Sequence, residues 1–278
     1  MKTLKLTLAL VLVALICNAQ YDTTRIDLGK SKVIIITEKG SGKADTIKIT
    51  GDGDNVRIDD DDDDKDDNKT KKFNSHWAGF GVGLNSFMNA NNEVGPLAKD
   101  DYLTLDQGKS WGVSLNLFEV NIPVFRQYAG FATGLGFEFN NYRFAKNYVL
   151  TNDSASLYAY YDSTTHYSKN KLTVPWMTMP FIFEFKVPVN DKNLNLGIGV
   201  LGAIRLGGHT KLVYDYNGND IKDKSRGDFH MNWYRYGLTG QIGYGDLGLF
   251  VNYSLSSLFK DKEGPELYPW TAGIHIAF

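Results

Sequence analysis

The 278-residue chain lacks the features that hold many small exported proteins together. Its one cysteine, Cys17, lies in the first apolar run, so a chain cleaved after Ala19 would have none and could form no disulfide. After that run, glycine, asparagine and charged residues interrupt every apolar stretch well short of the roughly 20 residues that a transmembrane helix needs. A membrane-spanning structure would therefore have to be a closed β-barrel.

Excess positive charge and catalytic motifs are also missing. The chain has 30 basic and 32 acidic residues, with a net charge of −2, and the basic residues are scattered along it. This balance excludes a nucleic-acid-binding protein. A nucleophilic site needs a serine, a histidine and an acid within hydrogen-bond reach, and no spacing among the five histidines indicates one. We predict no catalytic residues, no metal site and no cofactor.

The first residues have the pattern of a signal peptide. Two lysines precede an apolar run over residues 6–16, and small residues end at Ala19. A basic start, a short apolar run and small residues at the cleavage register direct a chain to export. We predict a signal peptide over residues 1–19; an uncleaved membrane anchor and a lipoprotein site at Cys17 are the alternatives.

Residues 20–75 differ in composition from the rest of the chain. Six consecutive aspartates, Asp59–Asp64, cannot bury themselves and predict a solvated linker. Calcium binding is the alternative, but the tract lacks the alternating acids and central glycine of an EF-hand loop. Before it lie short β-like runs at residues 32–38, 46–50 and 56–58. We predict a periplasmic β-like segment followed by an acidic linker.

From His76 to the last residue, apolar side chains alternate with glycine and small polar residues. In one segment Phe137 and Phe139 occupy one face and Gly134 and Gly136 the other. Such a period of two is typical of β-strands with one apolar face. The sequence predicts eight strands within residues 76–278, at 77–88, 110–118, 128–142, 171–185, 194–206, 230–244, 247–255 and 267–278.

The glycine-rich second face distinguishes two kinds of barrel. A soluble barrel such as a lipocalin turns its apolar face inward and would cover its outside with charged side chains. Here the second face carries few lysines and glutamates, so we predict an all-β, eight-stranded, antiparallel, up-and-down transmembrane β-barrel in the outer membrane. Long and short connections alternate, as extracellular loops and periplasmic turns do. The amino-terminal segment and the carboxy terminus would then both be periplasmic.

Five charged or titratable side chains fall on the inward face of the predicted strands: Glu138, Glu184, Arg205, Arg235 and His275. The interior of an eight-stranded barrel is just wide enough for side chains. Opposite charges buried there should pair. We predict that these residues form a structural network that closes the lumen, with a conducting path or catalytic use as the alternatives.

Aromatic residues lie near the ends of the predicted strands, where a barrel meets the two membrane surfaces. Tyrosine and tryptophan prefer that boundary. The candidates for these aromatic girdles are Trp77, Trp111, Tyr128, Tyr142, Trp233, Tyr234, Tyr244, Tyr268 and Trp270.

The last strand, Gly273-Ile274-His275-Ile276-Ala277-Phe278, resembles the carboxy-terminal signature of bacterial outer-membrane barrels. The run Leu172-Thr173-Val174-Pro175-Trp176 resembles the apolar-proline motif of the outer-membrane β-barrel family of Bacteroidetes that includes PorT-like proteins. The chain is also similar in plan to small eight-stranded barrels of the OmpA type. The resemblance spans residues 76–278. It implies that Phe278 is an assembly signal read by the barrel-assembly machinery, and that outer-membrane lipid surrounds the barrel.

These observations predict a non-enzymatic barrel with a structural or surface-interaction role. Long loops rich in Asn, Asp, Tyr and Lys, at residues 147–170 and 214–224, could bind an extracellular ligand. Two alternatives remain, a barrel-embedded enzyme that modifies lipid or peptide and a small pore.

Overall fold

The computed structural model describes residues 73–151, 155–189 and 191–278, together with strand backbones at 23–27, 31–37, 44–50 and 57–58. The predicted signal peptide and the aspartate tract lie outside the described residues. The chain forms two compact units, residues 1–69 and 70–278. No helix among the described residues is long and apolar enough to cross a membrane.

The first unit contains a small antiparallel sheet. Its strands are β1 (Thr23–Asp27), β2 (Ser31–Thr37), β3 (Ala44–Thr50) and β4 (Arg57–Ile58), and they pair in sequence order. Two of them coincide with β-like runs of the sequence that are rich in isoleucine, a residue that favours extended backbone.

The second unit is built around a ring of strands. Its strands are β5 (Gly79–Asn89), β6 (Trp111–Phe125), β7 (Ala129–Arg143), β8 (Tyr148–Thr151), β9 (Tyr158–Tyr161), β10 (Tyr167–Val189), β11 (Lys192–Arg205), β12 (His209–Tyr216), β13 (Asn219–Arg226), β14 (Tyr234–Tyr244), β15 (Leu247–Ser254) and β16 (Leu267–Ala277). Eight of these, in the order β5-β6-β7-β10-β11-β14-β15-β16, pair antiparallel with both neighbours, and β16 returns to pair with β5. The unit is an eight-stranded up-and-down β-barrel. All eight predicted strands are confirmed.

Connections of very different length separate the two ends of the barrel. At one end, called the turn end here, residues 126–128 and 245–246 make short turns, and only two positions of the sequence separate β10 from β11. At the other, called the loop end, the connections span residues 90–110, 144–166, 206–233 and 255–266. Two of these hold hairpins that the sequence did not predict. The β8–β9 hairpin stands apart from the ring, whereas β12 pairs with the first residues of β10 and β13 pairs with β12.

The predicted alternation is visible in side-chain exposure. Along β14, Tyr236 and Leu238 are exposed, whereas Arg235 and Thr239 are buried. Large apolar side chains of every barrel strand point away from the lumen and are exposed. They include Phe80, Leu84, Leu115, Phe118, Phe139, Met179, Phe181, Phe183, Leu196, Ile198, Val200, Leu238, Ile242, Leu249, Val251, Ile274 and Ile276.

The strand pairing of the barrel wall is locally irregular. The register of β6 against β7 shifts between Asn116 and Glu119, and the extra residue of such a bulge lets the strand bend. Pro180 pairs with Leu201 of β11, but neither it nor Met179 pairs with β7. Proline has no N–H to donate, so one ladder is interrupted while the other continues.

An apolar cluster fills the loop end of the barrel. Loop residues pack with inward-facing residues of the strand ends, so these loops are not simply the hydrated connections that their polar composition suggests. The cluster consists of Phe87, Leu103, Leu105, Tyr142, Phe144, Leu150, Leu157, Leu172, Val174, Trp176, Ala203, Phe229, Met231, Leu258, Phe259 and Leu267. The predicted girdle position of Tyr142 is therefore wrong, because its ring is buried in this cluster. Trp77, also predicted in a girdle, is buried as well.

Candidate functional site: the lumen and the loop end

One ion pair lies near the middle of the lumen. The Arg235 guanidinium on β14 donates to Glu138 Oε2 on β7, and both side chains are only 8% exposed. Asn252 Nδ2 donates to the other oxygen, Glu138 Oε1, over 3.0 Å. The Arg235 guanidinium also lies 5.0 Å from the ring centre of Trp176. The pair is thus held by hydrogen bonds and a cation–π contact from four strands, β7, β10, β14 and β15.

A second carboxylate, Glu184 on β10, lies nearer the turn end. It is fully buried, and its Oε2 accepts the His76 backbone N–H and Gln241 Nε2, each over 2.9 Å. Lys186 Nζ lies 3.8 Å from the other oxygen. His275 belongs to the same region, because its ring packs edge-on against the His76 ring with centroids 5.8 Å apart.

Residues 73–78, called the strap here, run into the turn end of the lumen ahead of β5. Phe73, His76 and Trp77 are all buried. The strap is not part of a strand, so its backbone N–H and C=O groups need other partners, and side chains of the barrel strands form hydrogen bonds with them. Besides the His76 N–H bond to Glu184, Ser75 N donates to Asn121 Oδ1 (2.9 Å), Ala78 N donates to Glu119 Oε2 (2.7 Å), and the Trp77 carbonyl accepts from Asn116 Nδ2 (3.0 Å).

Glycines on the inward face make room for the strap. A Cβ atom on Gly134 would lie 2.4 Å from Trp77 Cζ3, and one on Gly130 would lie 2.6 Å from Phe73 Cδ1. The carbonyl oxygens of Phe118 and Ile122 on β6 would lie about as close, at 2.3 and 2.7 Å. All these distances are far below van der Waals contact, so a larger residue would displace the strap, the neighbouring strand β6, or both. The glycine-rich face of the sequence is therefore, in part, a socket for residues 73–78.

Arg205 stands apart from the other four predicted lumen residues. It is half-buried near the loop end, where its Nε donates to the Asn232 carbonyl (3.0 Å) and its guanidinium to the Met231 carbonyl (3.1 Å). No carboxylate of the described residues forms an ion pair with it. The structure therefore brings together Glu138 with Arg235, and Glu184 with His275 through His76, and leaves Arg205 to anchor a loop.

Little space remains between these groups. A cavity lined by Glu138, Gln241 and His275 measures about 20 Å³, and another beside Arg235 about 10 Å³. Each is about the size of one water molecule. A wider polar cleft of about 580 Å³ opens at the turn end, next to the strap. The buried atoms His76 Nε2 and Asn195 Oδ1 in its wall have no protein partner, and water in this cleft would satisfy them.

Among the loop histidines, His230 lies beside an acid, with its Nδ1 2.8 Å from Glu263 Oε2. A histidine and an acid are two members of a catalytic triad, and a nucleophile beside the histidine would be needed to complete it. No group of acidic, histidine or cysteine side chains within the described ranges could hold a metal ion.

The loop between β9 and β10 is organised by Asp162. Its carboxylate accepts hydrogen bonds from Thr164 (hydroxyl, 2.7 Å; N–H, 2.8 Å), the Tyr167 hydroxyl (2.8 Å) and the Thr165 N–H (3.0 Å). These hydrogen bonds, led by that of the Thr164 hydroxyl, hold the pKa of Asp162 well below its usual range. The adjoining β8–β9 hairpin exposes three tyrosines, Tyr158, Tyr160 and Tyr161.

Comparison with known proteins adds one structural likeness. No family model matches the chain, and no curated protein matches it. Among solved structures it is similar to Ail, the attachment invasion locus protein of Yersinia pestis, with 11% identity over 72% of this chain and 99% of that chain and a TM-score of 0.25. At that TM-score the likeness adds nothing to the barrel that the strand pairing itself defines. The resemblance to the PorT-like family stays a prediction.

Two features of the interior were not predicted from the sequence. The strap has no periodicity of its own, and its last two residues, Trp77 and Ala78, were predicted to begin the first strand, which starts at Gly79 instead. The unusual glycines that face the strap were a signal of close approach. The polar partners of Glu138 and Glu184 are asparagine and glutamine, which a search for opposite charges does not find.

Proposed function

We propose that this protein is a non-conducting, non-enzymatic β-barrel of the outer membrane with a structural or surface-interaction role. In this proposal the lumen is closed by inward-facing side chains, including Glu138, Glu184, Arg235 and His275. The loop end faces outward, and the strap and the carboxy terminus lie on the periplasmic side.

The exposed apolar surface of the barrel carries the proposal. Side chains that a soluble protein would bury are largely accessible here, such as Phe118 (72%), Ile198 (70%) and Met179 (63%). Soluble monomers rarely expose apolar patches larger than a few hundred Å². Such side chains encircle the barrel on all eight strands, so a hydrocarbon environment on every side fits them, whereas a lipocalin-like carrier does not.

The filling of the lumen supports a closed barrel rather than a pore. The apolar cluster occupies the loop end, the Glu138–Arg235 pair crosses the middle, and the strap occupies the turn end. Cavities of about 10 and 20 Å³ beside the ion pair are too small for a hydrated ion.

The loop end offers the surface for interactions. Tyr158, Tyr160 and Tyr161 of the β8–β9 hairpin are exposed together, and tyrosine supplies contact area for proteins and sugars with little loss of conformational freedom. Loops placed outside the cell could therefore bind an extracellular ligand. Even strand number and short turns at the opposite end agree with this orientation.

The test combines membrane fractionation, gel migration and conductance. The full chain should be found in the outer membrane and migrate differently in SDS before and after boiling. Reconstituted into a planar bilayer, it should give no single-channel steps, with a general porin as the positive control. Release as a soluble protein without a migration shift would overturn the membrane assignment, and reproducible channel steps would overturn the closed lumen.

A further inference from the structure

Basic side chains form a row across four neighbouring strands at the loop end. Arg143 on β7 pairs in register with Lys171 on β10, Lys171 with Lys211 on β12, and Lys211 with Lys224 on β13. Adjacent strands lie about 4.8 Å apart, so the row spans about 15 Å. Three further cations lie two residues away on the same faces of their strands, namely Lys169, Lys222 and Arg226. These seven residues are called the basic patch here.

The basic patch contains no neutralising acid. No member forms an ion pair with a carboxylate of the described residues; Arg143 donates to the Ser168 carbonyl and Lys171 to Asn141 Oδ1. The nearest acids on the same face of the hairpin, Asp215 and Asp220, lie at its tip, beyond Lys222. Side chains of β13 alternate between its two faces, and Asp223 therefore points to the other one.

The local electrostatics are correspondingly unfavourable for another positive charge. The pKa of His209, which lies on the same face, is lowered by its burial and by the neighbouring cations, Lys224 first among them. Like charges directly opposite each other also destabilise a sheet. Lysines on an edge strand often serve to prevent aggregation. Protection of an edge strand accounts only for the charges of β13, because β7, β10 and β12 each have a neighbouring strand on both sides.

The basic patch continues the apolar outer face of the barrel. Lys169 and Lys171 lie on the same face of β10 as Phe181, and Arg143 on the same face of β7 as Phe139. Arg143 is four positions after Phe139, which is about 13 Å along the strand. At a typical barrel tilt of about 40° this is about 10 Å along the membrane normal. With Phe139 at the edge of the hydrocarbon layer, the row lies at the depth of the lipid headgroups.

We propose that the basic patch binds phosphate-bearing lipid headgroups in the leaflet at the loop end of the barrel. The inference rests on the proposed membrane insertion and adds a specific lipid class to it. Arg143 supplies a planar donor fork suited to a phosphate, and the lysines supply charge around it. Bound phosphate offsets the repulsion within the row, while the acyl chains lie against the apolar face below.

The binding experiment uses the full chain folded in neutral detergent micelles. Affinity is measured for a fluorescent, doubly phosphorylated lipid A and for the same lipid after dephosphorylation. The test variant replaces Arg143, Lys171, Lys211 and Lys224 by Gln. A matched control removes four other loop-end cations, Lys99, Lys109, Lys146 and Lys262, with the same change in net charge. A second variant, Lys211→Gln with Lys224→Gln, lies in the hairpin and leaves every barrel strand unchanged.

The wild type and the control should prefer the phosphorylated lipid, and the four-residue variant should bind it at least tenfold more weakly. The hairpin variant should lose part of this affinity, and arginine in place of the three lysines should retain it. Equal binding by wild type and four-residue variant, or equal binding of the dephosphorylated lipid, would overturn the inference. Binding of soluble heparin without binding of the lipid would overturn it as well.

Gel migration separates this inference from the proposed function. A heat-modifiable, outer-membrane chain without lipid selectivity refutes only the lipid site. A chain without heat-modifiability refutes the membrane barrel itself.

Discussion

Removing one partner of the buried Glu138–Arg235 pair should destabilise the barrel strongly. In Glu138→Gln, the side chain can still accept a hydrogen bond from Asn252, but Arg235 keeps its charge in a site where it is 8% exposed. An uncompensated buried charge costs about 3–5 kcal/mol. Arg235→Met should cost a similar amount, because it leaves Glu138 charged and also removes the contact with Trp176, worth roughly 1 kcal/mol.

The double variant distinguishes a pairwise effect from general damage to the lumen. With Glu138→Gln and Arg235→Met together, no charge remains buried at this site, and replacing a buried pair is often close to neutral. We expect a loss of at most about 2 kcal/mol, well below the sum of the single losses. Lys260→Met is the control, because its pair with Asp228 is 37% and 47% exposed and such pairs contribute under about 1 kcal/mol.

The assay is a guanidinium titration of the full chain refolded in detergent, followed by tryptophan fluorescence. Trp176 reports on the site directly, because its ring is 1% exposed and lies beside the Arg235 guanidinium. A loss for Glu138→Gln no larger than that for Lys260→Met would refute a structural role for the pair. Additive losses in the double variant would show that the two side chains act independently.

Three further predictions follow from other parts of the barrel. Gly134→Ala should displace the strap or the adjoining part of β6 and shift tryptophan emission to longer wavelength, because its Cβ would lie 2.3 Å from the Phe118 carbonyl oxygen and 2.4 Å from Trp77; Gly240→Ala, with its closest contact at 3.6 Å, should not. Ile198→Arg should lower stability in lipid vesicles by about 2–4 kcal/mol, whereas Ile221→Arg in the β12–β13 hairpin should change it little. Because the folded-state pKa of His209 lies below its ordinary 6.5, stability should fall as pH drops through 6.5, and His209→Asn should reduce that fall in pH-dependent titrations.

The barrel itself could be predicted from the sequence because its determinants are local and repeated. A period of two over β14 or β16 sets which side chains face outward, and Gly245-Asp246 marks a two-residue turn. Loop lengths then indicate which end carries the short turns. Each of these signals spans a few residues, so no long-range contact had to be known.

The contents of the lumen could not be predicted in the same way. The alternation places Glu138 and Arg235 on the inward face, but their pairing depends on the register of strands 97 residues apart. The β12–β13 hairpin was missed because its residues are mostly polar and β13 is exposed along its whole length. Arg205 faces inward as predicted, but its height in the barrel brings it to loop carbonyls rather than to a carboxylate.

Different groups occupy the two ends of the lumen. The strap lies in the turn end, whereas the apolar cluster, which includes Phe229 and Leu258, fills the loop end. In the proposed closed barrel, a change in the strap should therefore lower stability without allowing ion flow. Trp77→Ala removes the largest side chain of the strap and should cost about 3–5 kcal/mol.

The same variant should still give no channel steps in a planar bilayer, because the apolar cluster is unchanged. The folded fraction is checked by gel migration before reconstitution, so that an unfolded sample is not mistaken for a closed one. Channel steps in Trp77→Ala would mean that the loop end is open on the timescale of ion flow, and that the strap alone keeps the barrel closed.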